Sequence, residues 1–79
     1  MFGPTQTKMA EPQIVIHVNG TERRTSAGQT LKGLFVELAL DPQRVAVELN
    51  REIVRRPRWD DTVLGEGDSL EIVEFVGGG

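Results

Sequence analysis

Cysteine is absent from the 79-residue chain, and histidine occurs once, as His17. The first absence removes disulfides, thiolate metal sites and a cysteine nucleophile together. The second leaves His17 without a partner for a zinc site or a proton relay. No apolar run approaches the ~20 residues of a membrane-spanning helix. The N-terminus also lacks the basic start, apolar stretch and small-residue cleavage site of a secretory signal. A cytoplasmic location without a membrane partner is therefore expected. Positive charge is scarce as well: the formal net charge is −3. Nucleic acid is not an expected partner, because such binding rests on neutralising phosphates. No catalytic constellation, metal-ligand set or cofactor motif is visible, so the chain reads as something other than an enzyme.

What remains is an ordinary globular composition, with 38% hydrophobic and 27% charged residues. A chain this short makes one domain, which buries only ~60% of its unfolded surface and leaves little room for a deep cleft. Residues 1–12 (MFGPTQTKMAEP) have no apolar periodicity and contain Gly3, Pro4 and Pro12. They are expected to form a disordered extension before a folded region at 13–75, with a flexible tail at 76–79.

Ile14-Val15-Ile16-His17-Val18 predicts a strand, with Ile14, Ile16 and Val18 on one face and His17 on the other. Asn19-Gly20 tolerates two positive φ angles, the requirement of a type I′ hairpin turn, so Thr21 to Ser26 should return antiparallel. Thr30 is placed to cap a helix whose buried face is Leu31, Leu34, Phe35 and Leu38. Gly33 inside that helix costs roughly 0.5–1 kcal/mol relative to alanine, for which a close helix-to-sheet contact is the expected compensation. Asp41-Pro42 should end the helix, since the residue before proline disfavours the α region.

Val45, Val47 and Leu49 alternate with Ala46 and Glu48 as a third strand. Asn50-Arg51-Glu52 turns into a short Ile53-Val54 strand that Pro57 stops, and Trp59 plugs the core edge. After a turn at Gly65 to Asp68, Leu70, Ile72 and Val73 anchor a last strand ending near Phe75. One helix on one face of a mixed sheet is an α+β layout. Seven of the nine basic residues are arginines, and Arg51, Arg55, Arg56 and Arg58 lie close together. They read as a solvated stretch or as a docking patch for an acidic partner.

The chain ends Val76-Gly77-Gly78-Gly79. Three glycines offer no side chain to pack or catalyse, only backbone freedom and close approach. Extended, the four residues reach ~13–14 Å, enough to thread a narrow channel. A glycine run also suits a frayed terminus or a linker, but here the last strand enters it without a polar spacer. The terminal carboxylate reacts only once joined to a good leaving group, as adenylation by ATP would do. With no cysteine present, that terminus is the place left on this chain for transferable sulfur.

The sequence resembles the ThiS family, sulfur carriers of thiamine biosynthesis. The likeness runs through Val18-Asn19-Gly20, Thr30-Leu31, Val45 to Asn50, Ile53-Val54 and Arg58-Trp59. It continues through Thr62, Leu64, Gly67-Asp68 and Glu71 to Gly79, and so covers nearly all of the folded part. The resemblance implies a β-grasp (ubiquitin-like) fold, a mixed sheet of four to five strands with one main helix. It implies activation by a ubiquitin-activating-type adenylyltransferase, sulfur mobilised by a cysteine desulfurase, and delivery to thiazole synthase. Gly79 would carry a transient adenylate and then a thiocarboxylate, with Gly77 and Gly78 as the threading tail. Phe75 and Val76, apolar residues at the tail's base, are expected to bind partners. A molybdopterin-synthase small subunit, a ubiquitin-like protein modifier and an inert β-grasp module are the alternatives. The first usually carries prolines before its glycines, where this chain has Glu74-Phe75-Val76.

Overall fold

The β-branched run forms β1 (Gln13–Val18), and β2 (Thr21–Ser26) pairs with it antiparallel from Gln13–Ser26 to Val18–Thr21. Asn19 and Gly20 join them with φ of 51° and 84°, the two positive values expected of that turn. The computed structural model describes residues 12–75; expectations for residues 1–11 and for Val76, Gly77, Gly78 and Gly79 fall outside the described residues. Pro12, assigned above to the extension, uses its carbonyl to accept a 3.2 Å bond from Ala27 N–H.

Helix α1 spans Leu31–Glu37, and the Thr30 hydroxyl accepts from Gly33 N–H at 3.0 Å. Leu31 and Lys32, whose amides have no partner within the helix, donate to the carbonyls of Thr62 and Trp59. The loop after Trp59 thus wraps the helix start. The atoms nearest a Cβ at Gly33 would belong to Gln29 and Thr30, before the helix, and not to the sheet. A Cβ there would collide with the Gln29 amide oxygen. That amide is held by Thr25, Glu37 and the Thr30 N–H, so the space is occupied by the turn before the helix.

The helix also ends earlier than Asp41-Pro42. Ala39 adopts φ of 59°, its N–H donates to Val36, and Leu40 N–H donates to Phe35. This double closure is a Schellman motif with alanine where glycine is usual. The Cβ there is strained, so Ala39→Gly is expected to raise stability by about 0.5–1 kcal/mol. Urea denaturation of the two proteins measures it, and a loss of stability would contradict the motif. Asp41-Pro42 instead opens a 3-10 turn at Pro42–Arg44.

Strands β3 (Val45–Leu49), β4 (Glu52–Ile53) and β5 (Ser69–Glu74) complete a five-stranded sheet in the order β2-β1-β5-β3-β4. β5 runs parallel to β1 and antiparallel to β3. Asn50 and Arg51 alone make the β3–β4 turn, at φ of 51° and 74°, so β4 begins one residue before the expected Ile53. A second 3-10 turn follows at Arg56–Arg58. With α1 on one face of this mixed sheet, the chain has the β-grasp arrangement that the resemblance implies.

The buried core joins Ile16, Val45, Val47 and Leu70 of the sheet to Leu31, Leu34 and Phe35 of the helix, with Trp59 and Leu64 from the long loop. Trp59 stands edge-on to Phe35, ring centroids 4.7 Å apart, and its indole N–H donates to the Val54 carbonyl at 2.8 Å. Val73, expected to anchor this core, lies on the opposite face and is exposed. Strand alternation dictates this, because Leu70 and Ile72 already take the inward positions. Among the described residues, no helix is long and apolar enough to cross a membrane.

Candidate functional site

The chain's last described stretch is the middle strand of its sheet. β5 is paired with β3 over five residues, from Leu49–Leu70 to Val45–Glu74. On its other side, β1 contributes two residue pairs before it ends. The Asn19 side chain then stands in for a peptide group: its Nδ2–H donates to the Ile72 carbonyl at 3.1 Å, and its Oδ1 accepts from Ile72 N–H at 2.8 Å. Asn50 does a similar service at the start of the strand, accepting from Ser69 N–H and donating to Asp68. Both asparagines sit at positive φ in turns, where their short polar side chains are tolerated and can reach back. The strand is therefore clamped from both sides until it releases the chain.

Release comes at Phe75. Its N–H donates to the Arg44 carbonyl at 2.7 Å, and the residue is 55% exposed. Phe75 thus belongs to the surface and has no part in the core. Gly77, Gly78, Gly79 and Val76 lie outside the described residues, so of the expected site residues the structure describes Phe75 alone.

Around that exit, the sheet face turned away from α1 carries an apolar patch. Ala46 and Val73 are direct cross-strand partners, and Ile53, on the neighbouring strand, is 71% exposed. A shallow groove is lined by Ala46, Ile53 and Val73, with Glu48 and Glu71 beside them. These two carboxylates face each other across β3 and β5, an arrangement that is unfavourable between like charges. On the helix side, a second groove lined by Leu38, Leu40, Ile72 and Glu74 borders the same strand end. Reading the sequence missed Ile53 and Val73 as surface residues, whereas alternation had already set Ala46 opposite Val45 and Val47. Strand parity held the signal for Val73, which shares its register with Phe75.

The arrangement is that of a rigid presenter. Among the described residues no three His, Asp or Glu side chains gather as a metal site. What it can do is hold the root of a chain segment firmly, beside apolar surface that a partner can cover.

Comparison with known proteins places these features in context. The model of the ThiS family matches residues 16–79, a stretch that includes the terminal glycines. A thiazole synthase of Magnetococcus marinus is 45% identical over 64 residues, 81% of this chain but 20% of that protein. The chain thus spans about a fifth of that relative's length. The sulfur carrier protein ThiS of Bacillus subtilis is 40% identical over 50 residues, 63% of this chain and 76% of its own. A crystal structure of the thiamine biosynthesis protein ThiS from Geobacter metallireducens superposes with a TM-score of 0.73 at 30% identity. It covers 84% of this chain and the whole of that one.

Proposed function

The chain belongs to the ThiS family of sulfur carriers for thiamine biosynthesis, and from that premise we propose that it carries sulfur as a thiocarboxylate on Gly79. The observation that carries this reading is the family match running to Gly79 from a strand clamped on both sides. A resting carboxylate, with an ordinary pKa of roughly 3.3–3.7, is ionised and a poor electrophile. Attack of its oxygen on the α-phosphorus of ATP expels pyrophosphate and leaves an acyl adenylate. Hydrosulfide adding to the carbonyl carbon expels AMP and leaves the thiocarboxylate directly. A persulfide donor expels AMP to leave an acyl disulfide, which a second thiol reduces to the thiocarboxylate, itself ending as a disulfide with the donor. The β-grasp domain supplies position, and an adenylyltransferase of the ubiquitin-activating type supplies the chemistry.

A cysteine desulfurase is the proposed origin of the sulfur and thiazole synthase its destination. The second assignment is supported by the relative named thiazole synthase, which contains a segment similar to this chain. Incubation with ATP, the activating enzyme and a sulfur source tests the reading by intact mass. The expected product has one oxygen exchanged for one sulfur. Lysine conjugates would instead indicate a protein modifier, and an unchanged mass an inert module.

Phe75 and Val76, at the base of the tail, are the proposed grip for these partners. Phe75 is outside the core cluster, so Phe75→Ala should change stability by no more than about 0.5 kcal/mol. Its partner affinity should fall about tenfold or more, as for an apolar anchor that fills a partner's groove. Titration calorimetry and a thermal melt separate the two. A loss of binding that merely tracks unfolding would return Phe75 to a structural role.

A further inference from the structure

The sheet leaves one edge open, beside the arginines that the carrier chemistry does not use. Phe75 N–H bonds the Arg44 carbonyl, so in this antiparallel ladder the pairs Ala46–Val73 and Glu48–Glu71 also bond directly. Val45, Val47 and Leu49 consequently turn their backbone groups the other way, toward β4. β4 covers only the far half of that edge, pairing at Glu48–Ile53 and Leu49–Glu52. Val54 N–H adds one more bond to the Val47 carbonyl at 3.1 Å. The Val54 carbonyl, however, is taken by the Trp59 indole. The chain then bends away at the Arg56–Arg58 turn. Among the described residues, no turn, loop or cap bond reaches the Val45 N–H, the Val45 carbonyl or the Val47 N–H, and the pairing with β4 stops at Glu48.

A groove runs along this edge, with Val45, Val47, Ile53 and Trp59 as its apolar floor and Arg55 and Arg56 beside them. The Arg56 guanidinium lies 5.8 Å from the Trp59 ring centroid. The ion pairs of the described residues involve Arg23, Lys32 and Arg44. Arg51, Arg55, Arg56 and Arg58 therefore keep their charge available on a chain whose net charge is −3.

We propose that the open edge of β3 takes an extended acidic polypeptide segment of a partner as a sixth strand. Backbone pairing to Val45 and to the Val47 N–H, the Val47 carbonyl being held by Val54, supplies affinity, and alternate acidic side chains meeting Arg55 and Arg56 supply selectivity. An added strand would sit roughly 4.8 Å beyond β3, hence about 10 Å from β5. The tail would stay free, because β3 separates it from the newcomer. The inference stands apart from the chemistry at Gly79 and holds whatever that terminus carries.

The test uses the full chain, ¹⁵N-labelled, and a capped octapeptide of alternating valine and glutamate. Saturable binding is expected, with the largest shifts at the Val45 and Val47 amides and at the Trp59 indole. Replacing the glutamates by lysine should abolish it. The double variant Arg55→Glu/Arg56→Glu should bind at least tenfold more weakly with an unchanged melting temperature. N-methylation of one alternate set of peptide residues should abolish binding while the other set is tolerated. Equal binding by both methylated peptides, shifts centred on β2, or the absence of saturation would each overturn the proposal.

Discussion

A chain lengthened by one residue after Gly79, or shortened by its removal, is expected to lose adenylation almost completely while melting at the normal temperature. Either change displaces the reacting carboxylate by ~3.3–3.6 Å along an extended tail. Misplacement on the order of 1 Å can already cost about 10²-fold in a positioned reaction, so a larger loss follows here. The root of the tail does not adjust, because β5 is fixed by five residue pairs to β3 and by the Asn19 side chain. Nor does either change alter the core of the described residues, whose last member is Ile72. ATP–pyrophosphate exchange with the activating enzyme, paired with a melting curve, makes the measurement. Normal exchange by the lengthened chain would sink the assignment of Gly79.

Trp59→Ala is expected to do the opposite, destroying the fold without approaching the tail. Trp59 is 3% exposed, packs edge-on against Phe35 and holds the Val54 carbonyl. Its backbone carbonyl also satisfies Lys32 at the helix start. Truncating a buried tryptophan costs about 3–5 kcal/mol. A domain of this size has only on the order of 5 kcal/mol in total, so most of the variant should be unfolded at 37 °C. Trp59→Phe keeps the ring and orphans the carbonyl, at a cost of about 1–3 kcal/mol. Circular dichroism with urea titration ranks the three proteins. A Trp59→Ala chain that is as stable as the parent would show that the indole is not the core's edge.

The hairpin at Asn19-Gly20, the Thr30 cap and the alternation of β3 were legible because each rests on contacts between near neighbours in sequence. The helix end was misplaced because proline is a conspicuous stop signal. The actual stop is an alanine forced to φ of 59° by the bonds of Leu40 and Ala39 to the preceding turn. Nothing in the identity of an alanine announces that.

Of the expected site residues only Phe75 falls among the described residues, and the family match alone reaches the terminal glycines. The apolar patch on the sheet face turned away from α1 was not readable. Ala46 and Val73 meet only through the pairing of β3 with β5, and Ile53 joins them from a separate strand. Local pattern, through caps, turns and strand parity, was enough to determine an α+β domain of one helix and a mixed sheet. The clamping of β5 in the middle of the sheet, and the open edge beside Arg55 and Arg56, were decided by the tertiary structure. Both depend on which strands become neighbours, and that is settled by burying one shared core.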